Sequence, residues 1–207
     1  MDQRAQLLDA ALACFSRTGI AGTSLRAMAD EAGVTPALLH YYFGDKSRLV
    51  DALVDERLMP LFARLRAPMQ QAGDDPGALV AAFVGGMTAL VANNPWLPSL
   101  WVREVLTEGG ALRELLVERV APQIPVLLAG RFAAAQRAGR LNPDLDPRLL
   151  VVSLVGLTLF PAAGAPIWQR IFAGGDAGEG LPPLDADVLQ RHTLALLQGG
   201  MEVHRAP

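Results

Sequence analysis

The chain has 207 residues, of which 51% are hydrophobic and 19% are charged, a composition that favours one or two compact domains over disorder. The formal net charge is −3, so the molecule as a whole has no basic field that would draw it to nucleic acid or to an anionic membrane. Any contact with nucleic acid must therefore be local. The single cysteine, Cys14, excludes an intramolecular disulfide, and its apolar neighbours predict a buried thiol in a cytoplasmic protein.

The first third of the chain shows helical spacing of its apolar residues and no strand pattern. Thr23 is a suitable N-cap for a second helix, and Gly33 suits the end of that helix. Pro36 stands in the first turn of a third helix, where its missing N–H costs nothing, and Asp45 is a suitable cap for a fourth. The four predicted helices cover residues 3–17, 24–32, 36–43 and 46–66.

The remainder of the chain is more apolar, and its helices are predicted to be longer. Residues 149–167 approach the length of a membrane span, but Pro161, Gly164 and Pro166 interrupt the second half, which favours a buried helix. The fold class is therefore all-α. The predicted helices cover 78–92, 96–107, 111–138, 147–172 with a break near Pro161, and 186–200, and residues 173–183 are expected to form a flexible loop.

Two short helices joined by a tight turn at Gly33 predict a helix-turn-helix. If Val34, Leu39, Tyr42 and Phe43 face the core, helical periodicity turns an apolar and aromatic set outward. Such a face suits a DNA major groove, where apolar groups meet thymine methyls and polar groups meet base edges or phosphates. The outward set is Pro36, Ala37, Leu38, His40 and Tyr41.

The one lysine of the chain, Lys46, stands in the first turn of a predicted helix. A cation opposes the helix macrodipole there, so intrinsic stability does not favour lysine, whereas a bound phosphate would reverse that preference. Thr23 and Ser24, at the start of the second helix, offer a similar anion site. Two such sites on either side of a recognition helix would hold a DNA backbone.

The charge of residues 1–60 limits this interface. Six positive and eight negative side chains give these residues a net charge of −2. A strongly basic surface, as in non-specific DNA-binding proteins, is therefore absent. We expect few phosphate contacts per half-site and dependence on a dimer.

Residues 3 to 54 resemble the DNA-binding domain of the TetR family of bacterial transcription regulators. The shared elements are an LxxAAxxxF helix, Gly19-Ile20, Thr23-Ser24, an AxxAGV turn and the LxYYFxxK signature ending at Lys46. The resemblance implies two-fold dimers on palindromic operators, residues 1–54 as the DNA-binding domain and residues 55–207 as a helical effector-binding and dimerisation domain. It implies backbone contacts by Thr23, Ser24, Thr35, Tyr41 and Lys46, and positions near bases for Pro36, Ala37, Leu38 and His40.

The sequence departs from the family pattern at the recognition helix. Pro36, Ala37 and Leu38 stand where arginine, glycine and threonine are frequent in the family, and His40 replaces the usual tyrosine. These residues leave little hydrogen-bonding capacity for reading bases. We therefore expect recognition through apolar contacts and DNA shape.

In the second domain, the last two helices are apolar on more faces than a monomer could bury, which predicts an intersubunit four-helix bundle. A small-molecule pocket is predicted among aromatic residues that could equally pack the core, with Arg103 and Glu104 as polar anchors. The predicted pocket residues are Phe83, Met87, Trp96, Trp101, Arg103, Phe132 and Phe160.

Other kinds of site find no support in the sequence. His40, His192 and His204 lack metal-ligand spacing, and no paired carboxylates, nucleophile context or cofactor motif is present, so neither a metal, a cofactor nor an enzymatic activity is expected. The sequence predicts a ligand-responsive repressor that binds a palindromic operator as a homodimer and is released by an apolar small-molecule effector, with no membrane partner. The alternative is a helical dimer that binds small molecules or a protein and has lost operator binding.

Overall fold

The computed structural model describes residues 2–172 and 185–201. Within these ranges the chain forms α-helices and three short π-helical turns but no β-strand, which confirms the all-α prediction. The loop predicted at 173–183 lies outside the described residues.

The helices follow the sequence prediction closely in the first third of the chain and less closely after it. Their bounds are α1 (Gln3–Gly22), α2 (Leu25–Ala32), α3 (Pro36–Phe43), α4 (Lys46–Leu53), α5 (Met59–Gln71), α6 (Pro76–Asn93), α7 (Leu97–Trp101), α8 (Arg113–Leu115), α9 (Pro125–Arg137), α10 (Pro147–Ala163), α11 (Ala165–Phe172) and α12 (Ala186–Met201). The π-helical turns are Val54–Leu58, Val102–Leu106 and Leu116–Val120.

Several predicted helix limits differ from the structure, and three of these differences have a clear local reason. The N-cap of α2 is Ser24, whose side chain accepts from the Ala27 N–H, and not Thr23. The single helix predicted over 111–138 is divided, since Pro122 and Pro125 cannot supply the N–H groups that a continuous helix needs. The predicted break near Pro161 falls at Gly164 instead, and α10 runs through the proline to Ala163.

The described residues form two compact units. The first comprises those of Met1–Ala63 and Ser99–Glu118, and the second those of Arg64–Pro98 and Arg119–Pro207. The boundary predicted at residue 54 stays a prediction. Segment 99–118, although it lies far along the chain, belongs to the unit that contains the predicted helix-turn-helix.

The first unit packs α1 against α2 and α4, and α3 against the same two helices. Leu8, Phe15, Met28, Leu39 and Leu49 form the centre of this core, each at most 1% exposed. Cys14 lies beside them as predicted, and burial, with a smaller effect of the Glu31 carboxylate, raises the pKa of its thiol. This thiol is therefore neutral and acts as a core side chain.

The second unit is built on α6, which packs against α9, α10 and α12. Phe83 and Phe132 fill its centre, at 2% and 0% exposure. Asp146 caps the start of α10, and its hydrogen bond from the Arg148 guanidinium, 2.5 Å long, holds the pKa of that carboxyl well below its usual range. The cap therefore stays ionised at neutral pH.

Helix α6 is long and apolar enough to cross a membrane when judged by length and composition alone, and 44% of it is buried inside the structure. The segment that the sequence analysis considered, α10 with α11, passes the same test only as a pair bent by 63° at the break. Core helices of soluble proteins meet these criteria as well, so the finding favours neither a membrane span nor a buried core helix.

Phe132→Ala is expected to lower the free energy of unfolding by about 3–5 kcal/mol, because it removes a fully buried ring from the core of the second unit. Urea unfolding followed by circular dichroism at one fixed protein concentration would measure this. Arg137→Ala, an exposed change on the same helix, is the control and should stay within about 0.5 kcal/mol of wild type. Equal effects of the two changes would contradict the packing described here.

Candidate nucleic-acid interface

The turn between α2 and α3 has the geometry of a helix-turn-helix. Gly33 ends α2 in the left-handed conformation, with φ 67° and ψ 32°, a region that glycine enters without steric cost. The Val34 N–H donates to the Ala29 carbonyl at 2.9 Å, which closes the end of α2. Two residues later Pro36 begins α3.

Helix α3 divides into an inner and an outer face as the sequence predicted. Leu39 and Phe43 are buried, whereas the Tyr41 side chain is 82% exposed. Pro36, Ala37 and His40 are also exposed, and Leu38 is half-buried. The outer face is therefore apolar and aromatic, with few hydrogen-bonding groups.

The His40 ring is held by its own helix end. Its Nδ1 lies 2.6 Å from the Gly44 carbonyl oxygen, and because a carbonyl can only accept, Nδ1 carries the proton. In the neutral ring Nε2 is then an acceptor. Such an atom could accept a hydrogen bond from the exocyclic amino group of adenine or cytosine in a major groove.

The hydroxyl groups predicted to contact phosphates differ in their surroundings. Thr23 is 3% exposed, and its hydroxyl donates to the Gly19 carbonyl at 2.6 Å, so a phosphate would have to replace that bond. Ser24 is exposed and accepts from the Ala27 N–H, which leaves its own hydrogen for a phosphate. Thr35 is exposed at the N-cap of α3 and makes no side-chain cap bond there.

Lys46, predicted to serve an anion site at the start of its own helix α4, reaches the corner before α2 instead. Its Nζ donates to the Ala21 carbonyl at 3.2 Å, and Ala21 stands three residues before the cap of α2. Lys46 is the first residue of α4. The N-terminus of that helix is capped by Asp45, whose side chain accepts from the Arg48 N–H. The ammonium group therefore lies at the corner between α1 and α2 (residues 19–24), where the helix dipole of α2 would also favour an anion.

Most other cations of this unit are paired. Arg17 meets Glu31 at 2.5 Å, Arg57 meets Asp9 at 2.7 Å, and Arg4 pairs with Glu56. Arg48 lies 4.0 Å from Asp45. These pairs neutralise much of the positive charge of the unit.

Sequence reasoning missed Arg26. It is exposed in the first turn of α2, and neither it nor Lys46 forms an ion pair with any residue that the structure describes. The dipole argument that singled out Lys46 applies to Arg26 equally, since a cation opposes the macrodipole in a first turn. A cation in the first turn of a predicted helix is therefore the sequence signal that could have identified Arg26 as a candidate.

A cavity of about 550 Å³ lies within the second unit. Prolines and small residues at or near the ends of α6, α10 and α12 form much of its wall. Its polar lining consists of Thr88, Trp168, Asp185 and His192, and Asp185 also caps α12 by accepting from the Val188 N–H at 2.8 Å. The remaining lining residues are Val91, Ala92, Pro95, Pro98, Pro161, Ala162, Ala165, Ala186, Val188 and Leu189.

None of the residues predicted to bind a ligand lines this cavity. Phe83, Met87 and Phe132 are buried in the core of the second unit, and Phe160 is 65% exposed beside Trp168. Large aromatics at helical spacing fill interiors, whereas the cavity forms where proline and alanine leave space. Trp96 and Trp101 are half-buried, and Arg103 is exposed. Trp101 and Arg103 belong to the first unit and not to the unit that contains the cavity.

Glu104, predicted as a polar anchor of the pocket, has a different role. It is buried in the first unit, where one carboxylate oxygen accepts from the Ile20 N–H at 2.7 Å and the other from the Ala111 N–H at 3.1 Å. Elsewhere in the described ranges, no three His, Cys, Asp or Glu side chains gather as metal ligands would.

A helix-turn-helix with an exposed second helix, and with Lys46 at the corner before its first helix, has the architecture of the helix-turn-helix class of DNA-binding domains. Residues 7–53 match the family model described as bacterial regulatory proteins, tetR family. This match covers 47 of the 207 residues, the part of the chain that carries the helix-turn-helix.

Among curated relatives, the HTH-type transcriptional regulator BetI of Paraburkholderia xenovorans is 35% identical over 82 residues. BetI of Burkholderia thailandensis matches to the same extent. Each match covers 40% of this chain and 42% of the relative, so it spans less than half the length of either protein.

Two solved structures share the fold over nearly the whole chain. The ketosteroid transcriptional regulator KstR2 of Mycobacterium tuberculosis has a TM-score of 0.75 at 22% identity, covering 98% of this chain and 96% of KstR2. The transcriptional regulator FadR of Bacillus subtilis, in complex with stearoyl-CoA, has a TM-score of 0.70 at 19% identity, covering 97% and 99%. At these identities the similarity shows the fold alone.

Lys46→Ala is expected to weaken DNA binding about equally for all sequences, because a phosphate contact carries no base information. With one phosphate neutralised per protomer of a dimer, the slope of log affinity against log salt should become shallower by about 1.8. Fluorescence anisotropy over a salt series would measure both quantities. Arg137→Ala, which removes an exposed cation from the second unit, is the matched control, and an unchanged slope in Lys46→Ala would contradict this role.

Proposed function

We propose that the chain is a cytoplasmic, ligand-responsive transcription regulator that binds a palindromic operator as a homodimer. It represses by occupying the operator and is released by a small-molecule effector. The observation that carries the proposal is the joint position of Lys46, Ser24 and the exposed face of α3 on one helix-turn-helix. The proposal includes no enzymatic step.

Operator recognition rests on three groups of residues. In this proposal Ser24, Lys46 and Arg26 hold phosphates, together with Thr35 at the start of α3; the free hydrogen of Ser24 and the position of Lys46 beside Ala21 support it. Pro36, Ala37 and Leu38 face the bases and favour contact with thymine methyls and sensitivity to groove shape. His40 and Tyr41 supply the hydrogen-bonding groups on this face.

Dimerisation is supported by exposed apolar residues on the helices that the sequence analysis had assigned to it. Leu149, Val152 and Phe160 are each 63–65% exposed on α10, and Leu196 is 58% exposed on α12. The α10 residues, with exposed Gly156 between them, recur every three to four positions and so form one stripe. Pairing with the same stripe of a second copy would remove this apolar surface from water.

The cavity of the second unit is our candidate effector site. A volume of about 550 Å³ suits a small organic molecule, and the lining is mostly apolar. Asp185 is the one charged residue among the described lining residues, so neutral or cationic apolar effectors are favoured over anions. The stearoyl-CoA of the FadR neighbour has an apolar chain of the expected kind, but its phosphates would meet no cation of this lining.

Effector binding would reach the DNA-binding residues along the chain. Pro98 lines the cavity, and Ser99, the next residue, begins the segment that belongs to the first unit. Release requires only that the effector bind the conformation with low operator affinity more tightly than the other.

The alternative proposal is a helical dimer that has lost operator binding and serves a small molecule or a protein partner. The net negative charge of residues 1–60 and the apolar face of α3 favour it. Binding to DNA separates the two proposals.

Selection of the purified protein's targets from a pool of random duplexes at moderate salt is expected to enrich a palindrome, because a two-fold dimer reads two equivalent half-sites. Sequencing of the retained duplexes is the measurement. A folded, dimeric protein that enriches no sequence would support the alternative and overturn the regulator proposal.

Val152→Arg is expected to convert the dimer to a monomer, because a charge would be buried in the paired α10 stripe without a partner. Operator affinity should then fall at least about tenfold, since the two half-sites are no longer bound together. Sedimentation and anisotropy would measure the two effects. Val126→Arg, at a 63% exposed position of α9, is the matched control and should leave the oligomeric state and the operator affinity unchanged. A monomeric Val152→Arg variant with full operator affinity would contradict binding as a dimer.

A further inference from the structure

Glu104 is a charged residue in the core of the DNA-binding unit. It is 5% exposed and lies on the π-helical turn Val102–Leu106. Burial of a carboxylate is unfavourable unless hydrogen bonds replace its water. Both of its oxygens accept such bonds from backbone N–H groups, of Ile20 at 2.7 Å and of Ala111 at 3.1 Å.

The bond to Ile20 occurs where α1 is broken. Gly19 has φ 79° and ψ 162°, far from helical values, and the ψ of one residue sets the direction of the next residue's N–H. The Ile20 N–H is thereby turned toward Glu104. The carboxylate thus caps the final turn of α1, as an acidic N-cap would do in an ordinary helix.

Two glycines show how closely the two segments approach at this point. A Cβ placed on Gly19 would lie 3.0 Å from Oε1 of Glu104, and one placed on Gly110 would collide with the Glu104 backbone. The Leu112 N–H also donates to the Glu104 carbonyl at 3.0 Å. Glu104 is therefore held closely on both sides, by Gly19 at its carboxylate and by residues 110–112 at its backbone.

The turn that Glu104 caps carries groups of the candidate interface. Within it, the Ala21 carbonyl accepts from Lys46 at 3.2 Å, and the Thr23 hydroxyl donates to Gly19 at 2.6 Å. Ser24, the cap of α2, follows directly. The direction of the Ile20 N–H therefore bears on where the ammonium group and the α2 N-terminus lie.

We propose that Glu104 is a positioning residue for DNA binding, whose carboxylate holds the corner between α1 and α2 so that Lys46 and Ser24 reach one phosphate. The inference rests on the proposed function. Glu104 touches no DNA in this account and acts only through the corner. It belongs to a segment that no helix-turn-helix pattern includes.

The test is Glu104→Gln, which preserves size but removes the charge and turns an NH₂ group toward one of the two N–H donors. The affinity for a selected duplex is expected to fall about tenfold, with a shallower salt slope. In a Lys46→Ala background the same change should have little further effect, because the phosphate contact is already lost. Glu108→Gln, an exposed change on the same segment, is the control and should match wild type.

Circular dichroism and thermal unfolding would establish that each variant is folded at the temperature of the binding assay. If Glu104→Gln does not fold, Glu104→Asp tests the same contact, since it keeps the charge but is one methylene too short to reach both the Ile20 and the Ala111 N–H groups. It is expected to show the same dependence on Lys46.

Three outcomes would count against these proposals. Full affinity in the folded Glu104→Gln variant would overturn the inference and leave the proposed function intact. An equal loss in the wild-type and Lys46→Ala backgrounds would mean that Glu104 supports the fold but does not position Lys46. Failure of the wild-type protein to bind any duplex selectively would overturn the proposed function itself, and the inference with it.

Discussion

The candidate interface depends on how one backbone N–H is satisfied where α1 is broken. Gly19 turns the Ile20 N–H away from helical geometry, and the buried carboxylate of Glu104 accepts it at 2.7 Å. A donor left unpaired in this core would cost about 1–3 kcal/mol. The corner that results carries the acceptor for Lys46 and leads into the cap of α2. A contact between residues 84 apart thus bears on the placement of the groups that we propose bind phosphate.

Ion pairs within the first unit neutralise much of its positive charge. Several arginines are committed to ion pairs within the unit, which hold α1 against its neighbours and leave little long-range positive potential. Arg26 and Lys46 remain beside the N-terminus of α2, where the helix dipole adds to their effect on an anion. Association with DNA should therefore be governed by a few short-range contacts. Two protomers together would double the number of these contacts.

Local sequence signals predicted the first 45 residues well, because caps, glycines and apolar periodicity all act within a few residues there. The faces of α3 followed from periodicity alone. The division of the helix predicted over 111–138 could have been predicted from Pro122 and Pro125, but a single helix was expected there. Two features could not be predicted: the carboxylate of Glu104 meets a donor 84 residues away, and the cavity depends on how α6, α10 and α12 end, which periodicity does not encode.

The most direct test of the account is phosphate substitution in a selected duplex. Single phosphates would be replaced by neutral methylphosphonates, and the affinity of the wild-type protein would be compared with that of Lys46→Ala. We expect one position in each half-site, symmetric about the centre, where the substitution weakens binding by the wild-type protein but not by Lys46→Ala. If every substitution affects both proteins alike, or none affects either, Lys46 does not hold a phosphate and the interface described here is wrong.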